Sequence, residues 1–196
     1  MLTDRDKNII SFIESIGFAS IQQVQKMFFN TRYGYDCARK RLKKLADNKG
    51  YIKCFKNFDT NEYIYIPIKS NLKKVSLHNL KILDYICELH ILGCKINLIE
   101  LEPIFHNIKP DALINFEFNG YSYYQLIEVQ MRHSFVDIDR FLDNQVVTEI
   151  YNRCNEVLPR LIIIQDTNKD YNKNNNTQFD IVQLYTDLSD IAKVLC

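Results

Sequence analysis

The sequence predicts an α+β protein with two domains, one over residues 1–70 and one over residues 76–196. Apolar residues recur at helical spacing through the first 48 residues, and two short strands follow. Further along, two alternating apolar runs meet at an Asn-Gly dipeptide, which is typical of a β-hairpin. The charge also changes sign, because residues 1–75 carry 15 Lys and Arg against 7 Asp and Glu, whereas the rest carry 10 against 17.

Three helices are predicted in the first domain. Thr3 is the N-cap of the first, and Gly17 ends it. Ser20 and Gln23 form an S-x-x-Q capping box for the second helix. The third runs from about Tyr35 to Asn48 and precedes two candidate strands, Tyr51–Phe55 and Tyr63–Ile66. Three helices and a basic hairpin are typical of a winged helix-turn-helix, in which one helix enters the major groove.

The third helix has an apolar stripe and a basic opposite face, which indicates contact with a polyanion. The stripe is Ala38, Leu42 and Leu45. The residues expected to contact DNA are Arg39, Lys40, Arg41, Lys43, Lys44, Lys53 and Lys56. Two other interpretations stay open: a basic helix face that is only solvated, and a basic lobe that docks on the acidic one.

The second domain is predicted to be a mixed α/β sheet covered by helices. A helix over about 76–90 and a strand over 95–101 precede the hairpin. After the hairpin, Ser134 opens a long helix with a buried stripe of Ile138, Phe141, Leu142, Ile150 and Cys154. Two strands, Leu161–Ile164 and Phe179–Tyr185, flank the polar tract Thr167–Thr177, which is predicted to be a mobile loop. Asp187–Leu195 closes the chain with a short helix.

The hairpin register brings two carboxylates together. A two-residue turn at Asn119-Gly120 pairs Phe118 with Tyr121 and places Asp111 opposite Glu128. Gln130 shares the face of Glu128, because side chains alternate along a strand. Opposed carboxylates repel each other, and a divalent cation such as Mg²⁺ would relieve the repulsion. The alternative is that Asp111 caps a strand and Glu128 lies at a solvated sheet edge.

These residues resemble the PD-(D/E)xK nuclease core, with Pro110-Asp111 as the PD and Glu128-Val129-Gln130 as the ExK position. Gln130 stands where lysine is usual, and an amide cannot act as acid or base. The whole chain resembles the replication-relaxation family of bacterial plasmids and phages, over most of residues 1–145. The matching stretches are LTDRDKNIISFIESIGFASIQQVQKMFF, ARKRLKKLADNKGYI, SLHNLKILDYI, KPDALINFEF and LIEVQ.

The resemblance implies a protein that works on DNA in the replication, transfer or gene control of a mobile element. Because Gln130 replaces the usual lysine, the favoured hypothesis is a DNA-binding protein with a degenerate restriction-endonuclease-like domain. The alternative is an active endonuclease in which Asp111 and Glu128 hold Mg²⁺ or Mn²⁺ and Gln130 orients water. A third hypothesis is a protein that binds another protein, such as a phage-encoded inhibitor. Expected partners are double-stranded DNA, a second copy in a homodimer, and replication or transfer proteins.

The expected location is the cytoplasm, without contact with a membrane. The start of the chain is charged, and no early run is apolar enough for a signal peptide or a span. The six cysteines are scattered and form no C-x-x-C pair, which is typical of reduced thiols.

Overall fold

The computed structural model describes residues 2–47, 50–131, 135–173 and 175–195. It has a mixed α+β architecture with two sheets and forms two compact units, one up to Cys87 and one from Glu88 onward. In the described ranges, no helix has both the length and the apolar character that crossing a membrane requires. Each unit is described by itself.

The first unit contains a bundle of helices and a small antiparallel sheet. Its elements are α1 (Asp4–Ile16), β1 (Ala19–Ser20), α2 (Ile21–Phe28), α3 (Gly34–Asp47), β2 (Ile52–Lys56), β3 (Tyr63–Pro67) and the first part of α4 (Leu77–Ile91). The three strands pair in the order β1-β3-β2. The unit ends inside α4, later than the predicted boundary around residues 70–76, because Gln23 on α2 donates to Leu80 O at 3.1 Å and to Asp84 Oδ1 at 2.9 Å.

The predicted helix ends of α1 and α2 are confirmed. The Thr3 side chain accepts from the Asp6 amide, and the Asp6 carboxylate accepts from the Thr3 amide, which completes a capping box. Gly17 ends α1 at φ 93°, a conformation that glycine adopts without penalty. Ser20 and Gln23 form the second capping box. Helix α3 begins at Gly34, and the predicted end at Asn48 lies outside the described residues.

An ion pair joins α1 to α3 in the first unit. Asp6 is fully buried, and both of its carboxylate oxygens accept hydrogen bonds from the Arg41 guanidinium, through Nε and Nη2. Hydrogen bonding to Arg41 holds the pKa of Asp6 well below its usual range, against the opposing effect of burial. Arg41, which was predicted as a DNA contact, neutralises a buried carboxylate between two helices.

We expect Arg41→Ala to lower the free energy of unfolding by about 3 kcal/mol, because it leaves the Asp6 charge buried and unpaired. The depressed pKa of Asp6 adds stability that is present above the pKa of the unfolded chain, about 4, and is lost as the pH falls below it. Asp6→Asn should therefore flatten the acid limb of stability against pH. Urea denaturation of both variants across that pH range measures both effects. An Arg41→Ala variant as stable as the native chain would contradict the first, and an Asp6→Asn acid limb equal to that of the native chain would contradict the second.

The second unit is a five-stranded mixed sheet with one main helix. After the end of α4 come β4 (Lys95–Leu101), β5 (Ala112–Phe118), β6 (Tyr121–Gln130), α5 (Asn144–Arg153), β7 (Arg160–Gln165) and β8 (Ile181–Tyr185). The order is β4-β5-β6-β7-β8, antiparallel from β4 to β6 and parallel from β6 to β8. The predicted mixed sheet is confirmed. The chain closes with a 3₁₀ turn at Ile191–Leu195 in place of the longer helix predicted from Asp187.

The predicted hairpin register is confirmed. Asn119 and Gly120 both have positive φ, at 51° and 83°, which a two-residue primed turn requires. Phe118 pairs with Tyr121, and the ladder continues without a shift to Ala112 opposite Ile127. The Leu113 and Leu126 side chains lie in the core that α5 covers, with Phe141, Val146, Ile150, Leu161 and Ile163.

The prediction of one long helix from Ser134 is wrong over the described residues. A 3₁₀ turn at Asp139–Leu142 comes first, and α5 begins only at Asn144. Asp143 interrupts the helix because its backbone is extended and its side chain accepts from the Gln145 amide at 2.8 Å, as an N-cap does. Leu142, assigned to the buried stripe, is 44% exposed. Ser134 itself lies outside the described residues.

Candidate functional site

Asp111 and Glu128 come together where β5 begins and β6 approaches its end. They occupy the position after the last ladder pair, Ala112 with Ile127. Asp111 Oδ2 accepts from the Val129 amide at 2.7 Å, so Asp111 fastens the entry of β5 to β6. The Asp111 carboxylate also lies near enough to Glu128 to raise its pKa through charge repulsion. The structure thus brings together the two carboxylates that the hairpin register predicts.

Glu128 is a buried carboxylate with an arginine partner. It is only 6% exposed, and burial raises its pKa to about 8. The Asp111 charge adds to this rise, whereas the Arg140 guanidinium opposes it. Arg140 Nη2 donates to Glu128 Oε1. The alternative of a solvated Glu128 at a sheet edge is therefore wrong.

Arg140 was missed at the level of the sequence, although a signal for it was available. A buried acidic pair requires a cation, and Arg132 and Arg140 are the only Lys or Arg between residues 110 and 152. Arg140 was instead assigned to the long helix that the structure replaces with a 3₁₀ turn. The secondary-structure error therefore hid the partner of Glu128.

Gln130 has both ends of its amide engaged. It is 1% exposed, its Nε2 donates to Thr167 Oγ1 at 2.9 Å, and its Oε1 accepts from the Tyr171 hydroxyl. That hydroxyl also accepts from the Val136 amide at 2.9 Å. Gln130 thus ties the end of β6 to the segment that follows β7.

Two more glutamines hold the same segment. Gln165 Nε2 and Gln183 Nε2 both donate to the Lys169 carbonyl, at 2.9 and 2.6 Å, and Gln183 Oε1 accepts from the Tyr171 amide at 2.8 Å. Tyr171 is 2% exposed. The prediction of a mobile loop at Thr167–Thr177 is therefore wrong for Thr167–Tyr171. Its apolar content is low, but one buried tyrosine and three amides supply the anchoring.

This segment borders a cavity of about 240 Å³ at the carboxyl ends of β7 and β8. The cavity is lined by Gln165, the residues from Thr167 to Asp170, Gln183, Tyr185, Asp190 and Lys193. Crevices beyond the carboxyl ends of parallel strands are common ligand sites. The lining charges are balanced, because Lys193 pairs with Asp190 at 2.7 Å.

The arrangement does not fit the divalent metal that the nuclease resemblance implies. Mg²⁺ is usually held by one or two carboxylates together with waters or phosphate. Here the Arg140 guanidinium is already bonded to Glu128, so a second cation would meet a positive charge. The neighbouring acids Glu100 and Glu102 pair with Arg153 and Lys109. Over the residues that the structure describes, no group of three or more His, Cys, Asp or Glu side chains could hold a metal ion.

The basic residues of the first unit fall into two groups. Arg39, Lys40, Lys43 and Lys44 are exposed on α3, and Arg39 forms an ion pair with Asp36 at 3.3 Å. Lys53 and Lys56 lie on β2, where an odd spacing points them to opposite faces of the strand. The structure therefore brings together four of the seven predicted contacts and separates the two on β2 from each other.

Comparison of the chain with protein-family models, with curated proteins and with solved structures finds no match.

We expect Gln130→Ala and Tyr171→Phe each to lower the free energy of unfolding by about 1–3 kcal/mol, because each leaves a buried polar group without its partner. The double variant should lose less than the sum, since the two residues share one hydrogen bond. Urea denaturation measures these effects. Gln178→Ala, an exposed glutamine of the same segment, is the control and should change little. Strict additivity would contradict the hydrogen bond.

Proposed function

We propose that this protein binds double-stranded DNA through its first unit, in the replication, transfer or gene control of a plasmid or phage. We propose further that its second unit is a nuclease-like domain that does not cut. The observation that carries the proposal is the exposed basic face of α3, formed by Arg39, Lys40, Lys43 and Lys44.

The architecture of the first unit supports DNA binding. Three helices followed by the β2–β3 hairpin are the arrangement expected of a winged helix-turn-helix. In such a module α3 would be the helix that enters the major groove. The apolar stripe of α3 is buried, so the opposite face is left for a partner. Of the five basic residues on this helix, Arg41 binds the buried Asp6 and Arg39 pairs with the exposed Asp36. The excess of Lys and Arg over residues 1–75 favours a polyanion.

The residues of the second unit favour a nuclease-like fold that does not cleave DNA. Its mixed sheet and its paired Asp111 and Glu128 are what a restriction-endonuclease-like domain would have. Gln130 carries no ionisable group, and its amide anchors a neighbouring segment. Glu128 is bound to an arginine. A cytoplasmic location, a homodimer, and replication or transfer proteins as partners belong to the same proposal.

An Mg²⁺-dependent endonuclease is the second candidate function. The observation that favours it is the meeting of Asp111 and Glu128 near the carboxyl end of β6, where β5 begins. Arg140 would have to leave Glu128 before both carboxylates could act together on another cation.

The 196-residue chain should bind duplex DNA with an affinity that falls linearly with salt on logarithmic axes, with a slope of about −0.9 for each phosphate contact. Changing Arg39, Lys40 and Lys43 together to Glu should abolish binding, because the three side chains lie on the exposed face of α3. Fluorescence anisotropy over a range of salt concentrations measures both.

In a matched control, three lysines of the second unit are changed to Glu, so that the net charge changes equally. They are Lys95, Lys109 and Lys173. This control should keep most of the affinity. Equal losses in the two triple variants would mean that net charge and not the α3 face drives binding, and an affinity indifferent to salt would refute DNA binding through phosphates.

Cleavage of single- and double-stranded DNA should be absent with either Mg²⁺ or Mn²⁺, because Gln130 supplies no acid or base and Glu128 is bound to Arg140. Gel assays over long incubation measure it, with Asp111→Ala as the control for contaminating nucleases. Cleavage by the native chain that both Asp111→Ala and Gln130→Ala remove would establish the second candidate function.

A further inference from the structure

The acidic site already contains a cation, the guanidinium of Arg140. Asp111 and Glu128 lie close enough for one charge to shift the pKa of the other, and Glu128 is buried. When both carboxylates are ionised, such a pair is destabilised unless a positive charge lies beside it. We infer that Arg140 is the resident cation of this site, and that it takes the place of a divalent metal and keeps such a metal out.

The contact itself carries the inference. Arg140 Nη2 donates to Glu128 Oε1, and the Arg140 side chain is only 28% exposed, so the pair lies largely out of water. An ion pair between buried groups is screened far less than one at the surface. When Glu128 is ionised, its charge is therefore paired within the chain.

Arg140 is held at the site by the residue beside it. Phe141 is fully buried, packs against Phe179 with ring centroids 5.6 Å apart, and its ring lies 5.1 Å from the Arg140 guanidinium carbon. The Phe141 amide donates to Ile138 O at 3.0 Å, which closes the 3₁₀ turn. The backbone of Arg140 is thus fixed by a core residue, and its side chain reaches Glu128 from a stable position.

A divalent metal would compete with Arg140 for the same oxygens. Mg²⁺ and Mn²⁺ need close contact with carboxylate oxygens, and the guanidinium already occupies one oxygen of Glu128. Two cations on one carboxylate pair would repel each other, so binding a metal requires displacing Arg140. Removing the Arg140 side chain should therefore turn Asp111 and Glu128 into a metal site.

This inference depends on the nuclease-like character proposed for the second unit, but not on DNA binding by the first. Its test is Mn²⁺ binding, measured by electron paramagnetic resonance and by melting temperature against free Mn²⁺. The native chain should bind no stoichiometric Mn²⁺ and show no rise in melting temperature. Arg140→Ala should bind Mn²⁺ at least on the order of tenfold more tightly and melt higher as Mn²⁺ is added.

Three variants complete the experiment. Arg140→Ala with Asp111→Asn should lose the gained site, because one carboxylate is removed. Arg140→Lys should stay without metal, because it keeps the positive charge. It should also fold, because the Nε that it removes is buried and has no hydrogen-bond partner among the described atoms. Arg153→Ala, which removes a cation from Glu100, is the matched control and should gain nothing.

Mn²⁺ binding by the native chain that Asp111→Asn abolishes would overturn the inference, and so would a folded Arg140→Ala that gains no binding. If Arg140→Ala does not fold, a folded Arg140→Lys supports the role of the charge. The electron paramagnetic resonance spectrum of the native chain with Mn²⁺ then shows whether the metal is excluded. Anisotropy with duplex DNA on the same samples separates the outcomes. If the native chain does not bind duplex DNA, the proposed function is refuted and the inference about Arg140 still stands.

Discussion

The turn at Asn119-Gly120 is the constraint on which the second unit depends. Because both residues have positive φ, the turn takes two residues and fixes one register for the whole hairpin. A slip of one residue would move every side chain to the other face and would separate Asp111 from Glu128. The register thus creates a buried acidic pair, and the pair in turn requires the cation that Arg140 supplies.

The first unit meets a similar requirement with a different pair. Asp6 is buried where α1 packs near α3, and Arg41 neutralises it from within a helix whose other cations face outward. The charges of α3 therefore divide between an internal role and an external one. This division explains how one basic helix can hold its own unit together and still present Arg39, Lys40, Lys43 and Lys44 to a polyanion.

The sequence predicted features that depend on local chemistry. The capping boxes at Thr3 and Ser20, the Gly17 helix end and the hairpin register are all encoded within a few residues. Prediction from the sequence failed where residues distant in the chain determine the structure. Asp143 broke a helical pattern that continued across it, and the anchoring of Tyr171 depends on side-chain amides from two strands, β6 and β8. The ion pairs Asp6–Arg41 and Glu128–Arg140 follow from tertiary packing, which spacing along the chain does not reveal.

A double-mutant cycle between Glu128 and Arg140 tests whether the arginine holds the acidic site. Glu128→Gln, Arg140→Gln and the double variant would be denatured with urea at about pH 9, above the Glu128 pKa of about 8, so that the carboxylate is ionised. A coupling free energy of about 2 kcal/mol or more is expected for a close, largely buried charge pair. A coupling below about 0.5 kcal/mol, the range of independent sites, would contradict the claim.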